Sequence, residues 1–177
     1  RGTVVRVGGS PPVPGPPISS ASATPATLTD PDSAPVQLGV KFRASVAGAI
    51  SGIRFYKGPQ NTGTHVGSLW TATGQRLATV TFANETASGW QQATFSSPVS
   101  IAAGTTYIAS YHAPVGKYSV NENYFTTAVT NGPLEALASG TSGGNGVYAY
   151  GASTAFPTNT FNASNYWVDV VFNSATA

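Results

Sequence analysis

From residue 34 onward, apolar and polar residues alternate with a period of two, and this constrains the fold more than any other feature. In VQLGVKF, Val36, Leu38, Val40 and Phe42 point one way while Gln37, Lys41 and Arg43 point the other. That is the pattern of a half-buried antiparallel strand. In SGIRFYK, Ile53 and Phe55 face in, Arg54 and Tyr56 out. Further runs of this kind cover 66–72, 76–83, 90–96, 105–112, 117–121, 146–150 and 165–173, separated by turn clusters such as TATGQ, ETASG and AAGTT. Many short strands at this spacing predict an all-β fold, an antiparallel β-sandwich of jelly-roll type. NGPLEALAS (131–139) alone reads as helical, with Asn131 placed to cap and Pro133 tolerated in the first turn. In NYWVDVVF, Tyr166, Val168, Val170 and Phe172 share one face and Trp167, Asp169 and Val171 the other. With apolar residues on both faces, this strand is expected inside a sheet rather than at its edge.

Residues 1–17, RGTVVRVGGSPPVPGPP, break the pattern, with five prolines in the last seven positions. Proline lacks an N–H and fixes φ, so the segment reads as a semi-stiff linker with little contact to the body. TVVRV within it reads as the last strand of a preceding domain. The body is then a single domain, 18–177. A start at Arg1 and the lack of methionine predict a piece of a longer polypeptide.

Charged residues make up 8% of the chain, against ~25% in ordinary soluble domains. Thr, Ser, Asn, Gly and Ala fill the deficit, as in exported bacterial domains. The net charge of +2 comes from Arg1 and Arg6; from residue 18 onward six basic and six acidic residues cancel. No basic stripe is available to neutralise phosphates, which sets nucleic acid aside. The absence of cysteine excludes disulfides, thiolate zinc sites and thiol nucleophiles. No apolar run approaches the ~18 residues of a membrane helix.

The segments ATPATLTDPDSAPVQLGVKF, ISGIRFYKGPQNTGTHVGSLWTATGQRLATVTFANETASGWQQATF, TTYIASYHAP, GNGVYAYG and SNYWVDVVF together resemble a bacterial domain of unknown function, family 4082. The resemblance runs in order over residues 18–173. It implies an accessory module of a large secreted protein, placed beside glycoside hydrolases, galactose-oxidase-like propellers, immunoglobulin-like repeats or formamidase-like catalytic domains. It supplies no catalytic residue. Similar members often carry Glu where this chain has Gln37, which weakens any site needing a carboxylate there.

The residues themselves argue against catalysis. GTSGG (140–144) fits G-x-S-x-G literally, but it lacks the preceding strand, the following helix and a downstream histidine. Six acidic residues are scattered singly, with no pair marked to flank a glycosidic bond. His65 and His112 are too few for a catalytic zinc site. Asp30 and Asp32 in TDPDS, with Asp169 from the last strand, are the candidate ligands of a structural calcium ion. The alternative for TDPDS is an Asx-turn.

Strand parity places the connections 58–65, 84–89 and 113–117 at one end of the sandwich, together with Asp30 and Asp32. Lys57, Asn61, His65, Glu85, Tyr111, His112, Lys117 and Tyr118 are therefore the expected lining of a shallow polar ligand site. Lys57 or Lys117 would favour an acidic sugar. The alternative is that 58–63 is only a long turn. A second candidate surface is the Tyr- and Asn-rich C-terminal half, with Tyr118, Tyr124, Tyr148, Tyr150, Tyr166 and Trp167 beside Asn121, Asn123, Asn145 and Asn165. Sugar rings stack their C–H faces on such side chains. The expected role is a secreted, monomeric, non-catalytic module that binds a glycan and delivers attached domains to a polysaccharide. The alternatives are a structural spacer or adhesion module, or a domain that completes a neighbouring enzyme.

Overall fold

The computed structural model describes residues 13–175, so TVVRV lies outside the described residues. Twelve strands follow in chain order: β1 (Val13–Pro14), β2 (Val36–Ala44), β3 (Gly48–Lys57), β4 (Val66–Thr71), β5 (Arg76–Thr81), β6 (Gly89–Ile101), β7 (Tyr107–Ala113), β8 (Val129–Asn131), β9 (Leu134–Ala136), β10 (Val147–Tyr150), β11 (Asn159–Thr160) and β12 (Val168–Ser174). They form two antiparallel sheets. The smaller has the order β1-β12-β3-β6; the larger runs β11-β10-β2-β7-β4-β5, with the β8–β9 hairpin attached to β2. β12 lies inside its sheet, between β1 and β3.

The core follows from the alternation. Val36, Leu38, Val40, Phe42 and Ala44 of β2 meet Ile50, Ile53 and Phe55 of β3 and Val168, Val170 and Phe172 of β12 in one buried cluster. Phe55 stacks on Tyr111 of β7 with ring centroids 4.1 Å apart. A second, small cluster of Trp70, Ile108 and Val147 lies under Phe156 on the other side of the larger sheet. That cover explains why Gln37, expected on an open face, is fully buried with its amide donating to Ser110 Oγ.

The segment 131–139 is not a helix. Asn131↔Leu134 closes a hairpin whose two turn residues are Gly132 and Pro133. Gly132 has φ +56, as the primed hairpin turn that takes glycine first requires. β9 then pairs with Phe42–Ala44 of β2, so tertiary pairing overrides the local helical preference of LEAL. Among the described residues, the helical turn is a 3-10 turn at Tyr124–Thr126. Asn145 spans the gap on β2 between β9 and β10. Its Oδ1 accepts the Lys41 N–H at 2.8 Å, and its Nδ2 donates to the Lys41 and Leu137 carbonyls at 3.0 and 2.7 Å.

Two further expectations change. Residues 117–121 form no strand, only the isolated bridges Thr27↔Val120 and Asn121↔Asn165, because Gly116 and Lys117 both take positive φ. The described part of the linker is also held to the body. β1 pairs with Asn173 and Ser174, Gly15 N donates to the Phe172 carbonyl, and Asn131 Nδ2 donates to the Pro17 carbonyl. Ile18 and Ser19 then donate their N–H groups to the two oxygens of Asp169.

Register fixes two poles. Val36 faces Ala113, and Val168 faces Phe55 near the end of β3. The start of β2, the ends of β3 and β7 and the start of β12 therefore share one pole. Val13, Ser174 and Gly48 share the other.

Candidate functional site

The loops after β3, β5 and β7 meet at the β2-start pole, where Lys57 and His65 both reach Glu85 and Gly63 packs on Pro114. Their polar groups face inward, which corrects the shallow open site expected there. His65, Asn61 and Tyr111 are 0% exposed. His65 Nδ1 lies 2.9 Å from Glu85 Oε2 and Nε2 lies 2.7 Å from Asn61 Oδ1, while Asn61 Nδ2 donates to the Tyr111 hydroxyl at 3.3 Å. Lys57 Nζ donates to the Thr86 carbonyl at 3.1 Å and pairs with Glu85 at 3.3 Å. Tyr111 projects into the sandwich core, so the groups that satisfy its hydroxyl are drawn in with it.

Burial pushes the His65 pKa down, and the hydrogen bond and charge of Glu85 oppose that without overcoming it. A neutral ring donates Nδ1–H to Glu85 and needs a donor at Nε2. The Asn61 amide supplies it in its turned orientation, Nδ2 toward the ring and Oδ1 accepting from the Tyr111 hydroxyl in place of the donation to it. Burial likewise pushes the Tyr111 phenol up. His112, on the opposite side of the sheet, has Nε2 2.8 Å from the Gly151 carbonyl. Lys117 Nζ donates to the Pro31 carbonyl at 3.1 Å. Of the predicted ligand residues, Tyr118 is the one that lines a cavity described below.

The three aspartates expected around calcium are not assembled, and among the described residues no group of three or more His, Asp or Glu is placed to hold an ion. Asp169 is buried in the smaller sheet, accepting from the Ile18, Ser19 and Val170 N–H groups with Arg54 3.7 Å away. Asp30 and Asp32 lie in the entry segment to β2. There Asp30 Oδ1 accepts the Asp32 N–H and Asp32 Oδ1 the Ala34 N–H, both across two residues.

The C-terminal aromatics build a cleft of about 210 Å³. Its floor is Val36 and Leu38, its walls Tyr118, Tyr148 and Tyr166, and its rim Tyr150 and Phe161. The two-residue period of β10 puts Tyr148 opposite Leu38 and Tyr150 opposite Val36, so both rings stand on the core side of the larger sheet. The smaller sheet has fewer strands and does not reach them. Tyr150 is 56% and Phe161 52% exposed. Edge-to-face contacts fix the rings: Tyr118 on Tyr166 at 5.5 Å and Tyr148 on Tyr150 at 5.6 Å.

Asp32 braces the rim, its Oδ2 accepting the Tyr150 hydroxyl hydrogen bond. That bond, more than burial, pushes the Tyr150 phenol up to about 12. Burial pushes Tyr166 up to about 12 and raises Tyr118 as well. Gly116 makes the arrangement possible. A Cβ there would come 2.3 Å from the Asp32 carbonyl, and the neighbouring Lys117 N–H donates to that same oxygen at 2.7 Å. Two further depressions, of about 180 and 330 Å³, have no aromatic ring in their lining.

The family described as Domain of unknown function (DUF4082) matches residues 22–168. The chain belongs to that family. No curated protein and no solved structure matches it. The DUF4082 match contains every residue of the cleft and both aspartates beside it.

Several residues of the second surface expected from the sequence serve the scaffold. Asn145 and Asn165 are buried. Asn121 Oδ1 accepts from Ala26 N and Trp167 Nε1, and Asn165 Oδ1 accepts from Trp167 N. Trp167 is 1% exposed, with φ +60. In GTSGG, the Ser142 carbonyl accepts from Lys41 Nζ. Phe161 and the Asp32–Tyr150 bond escaped the sequence reading. Phe161 sits in no periodic run, and the bonded pair is 118 residues apart.

Proposed function

We propose that this DUF4082 domain is a secreted, non-catalytic carbohydrate-binding module that holds an attached catalytic domain on a polysaccharide. The observation that carries the reading is the cleft, in which pre-oriented tyrosine rings surround an apolar floor. Such rings accept the C–H face of a sugar while their hydroxyls reach its rim. At about 210 Å³ the cleft is smaller than the ~300–1,000 Å³ of drug-sized sites. It suits one ring or a chain end rather than a long oligomer. Asp30 and Asp32 enter on one segment, with no carboxylate opposite among the cleft-lining residues, whereas hydrolysis needs two that flank the bond. Binding at so open a surface is weak, because polar contacts there exchange with water.

Retention on insoluble polysaccharides and a glycan array test the proposal. Tyr148→Ala and Tyr150→Ala should each lower affinity about tenfold or more, equivalent to ~1.4 kcal/mol. Tyr150→Ala should leave the melting curve nearly unchanged, since that ring is largely exposed. A wild-type domain retained on no glycan would sink the reading.

A further inference from the structure

The charged side chain bonded to a ring of the cleft is a carboxylate, Asp32. Its lining contains no cationic side chain. Of the lysines at this pole, Lys57 is consumed by Glu85 and the Thr86 carbonyl, and Lys117 is turned onto the Pro31 carbonyl. At the aromatic rim, Asp32 accepts from the Tyr150 hydroxyl. Asp30 is held beside Tyr118 by its backbone, its N–H donating to the Tyr118 carbonyl at 2.8 Å. The Asp30 carboxylate acts on the Tyr118, Tyr150 and Tyr166 phenols, and that of Asp32 on the first two.

Building on the carbohydrate reading, we propose that the cleft selects a cationic amino sugar, the glucosamine-type unit of a deacetylated polysaccharide, with its ammonium beside the Tyr150 rim and the Asp32 carboxylate. Three physical effects act together. The negative face of an aromatic ring attracts an ammonium group. A phenol donating to a carboxylate is polarised toward its oxygen, so Tyr150 becomes a better acceptor. Asp32 is only partly buried, and its carboxylate accepts from Tyr150 and Ala34, which leaves capacity on a group with about four lone-pair sites. An acidic sugar, which Lys57 or Lys117 would have favoured, instead meets electron-rich rings and two carboxylates. That repulsion is itself a source of selectivity.

Calorimetric titration with glucosamine, N-acetylglucosamine and glucose hexamers, and with choline, tests this. The glucosamine hexamer should bind at least tenfold more tightly than either neutral hexamer at pH 6 and low salt. The preference should shrink toward unity at 1 M NaCl, where charges are screened within a few ångströms. Asp32→Asn should erase the preference, with a melting curve recorded to show that the variant folds; the salt series on the unaltered protein stands if it does not. Equal affinity for the three hexamers overturns the amino-sugar inference and leaves the carbohydrate reading intact. Choline binding without any hexamer binding overturns both and marks a bare ammonium cage. No binding of any probe also overturns both.

Discussion

His65 shows how one buried residue can hold a pole together. It links Glu85 and Lys57 on one side to Asn61 and Tyr111 on the other. Replacing it with alanine strands a buried carboxylate–lysine pair and an amide, at a cost of roughly 3 kcal/mol or more, which thermal melting would register. The pH dependence has a definite sign. The folded-state pKa lies below the ordinary value of 6.5, so the unfolded chain takes up a proton that the folded domain refuses. The stability from this group is therefore present above pH 6.5 and is lost as pH falls toward the folded pKa. Melting temperatures from pH 8 to pH 5 should fall for the natural chain and flatten for His65→Gln. A melting temperature that rises over this range would refute the direction.

Among the elements, the N-terminal segment has a larger structural role than its composition suggests. Ile18 enters the core, and Ile18 and Ser19 supply two of the three backbone N–H groups on Asp169. Removing residues through 19 should lower the melting temperature by about 10 °C more than removing residues through 12. That figure follows from a loss of ~3–5 kcal/mol at a buried charge and 2–4 °C per kcal/mol for a domain of this size. Equal melting temperatures for the two truncations would show that the anchor contributes nothing. The long strands were legible because alternation in VQLGVKF and SGIRFYK reports directly on one buried face. The β8–β9 hairpin was not, since LEAL favours helix locally and only its pairing with Phe42–Ala44 decides otherwise. For the site, the shared face of Tyr148 and Tyr150 could be read from their spacing. The inward turn of Asn61 and His65 could not, because it depends on where β7 carries Tyr111.

For the whole molecule, the decisive relation is between the cleft and the ends of the described chain. Val36, Tyr150 and Tyr166 stand at one pole, while Val13 pairs with Ser174 at the other. A module built to hold two flanking segments apart would carry its ends at opposite poles. Here the described ends lie together, with the aromatic rim at the other pole, where the proposed binding role would leave it accessible. The β1–β12 pairing has a mechanical consequence as well. Tension applied through residues 13 and 174 opens an antiparallel pair from its free end, one hydrogen bond at a time, instead of shearing several at once. The Gly15–Phe172 bond gives way next, and the Asp169 clasp on Ile18 and Ser19 is the first real resistance. Optical-trap pulling should show a low-force release of the entry segment before the sandwich ruptures, with a single high-force event as the contrary result. Under tension, the entry segment lengthens while the core stays folded.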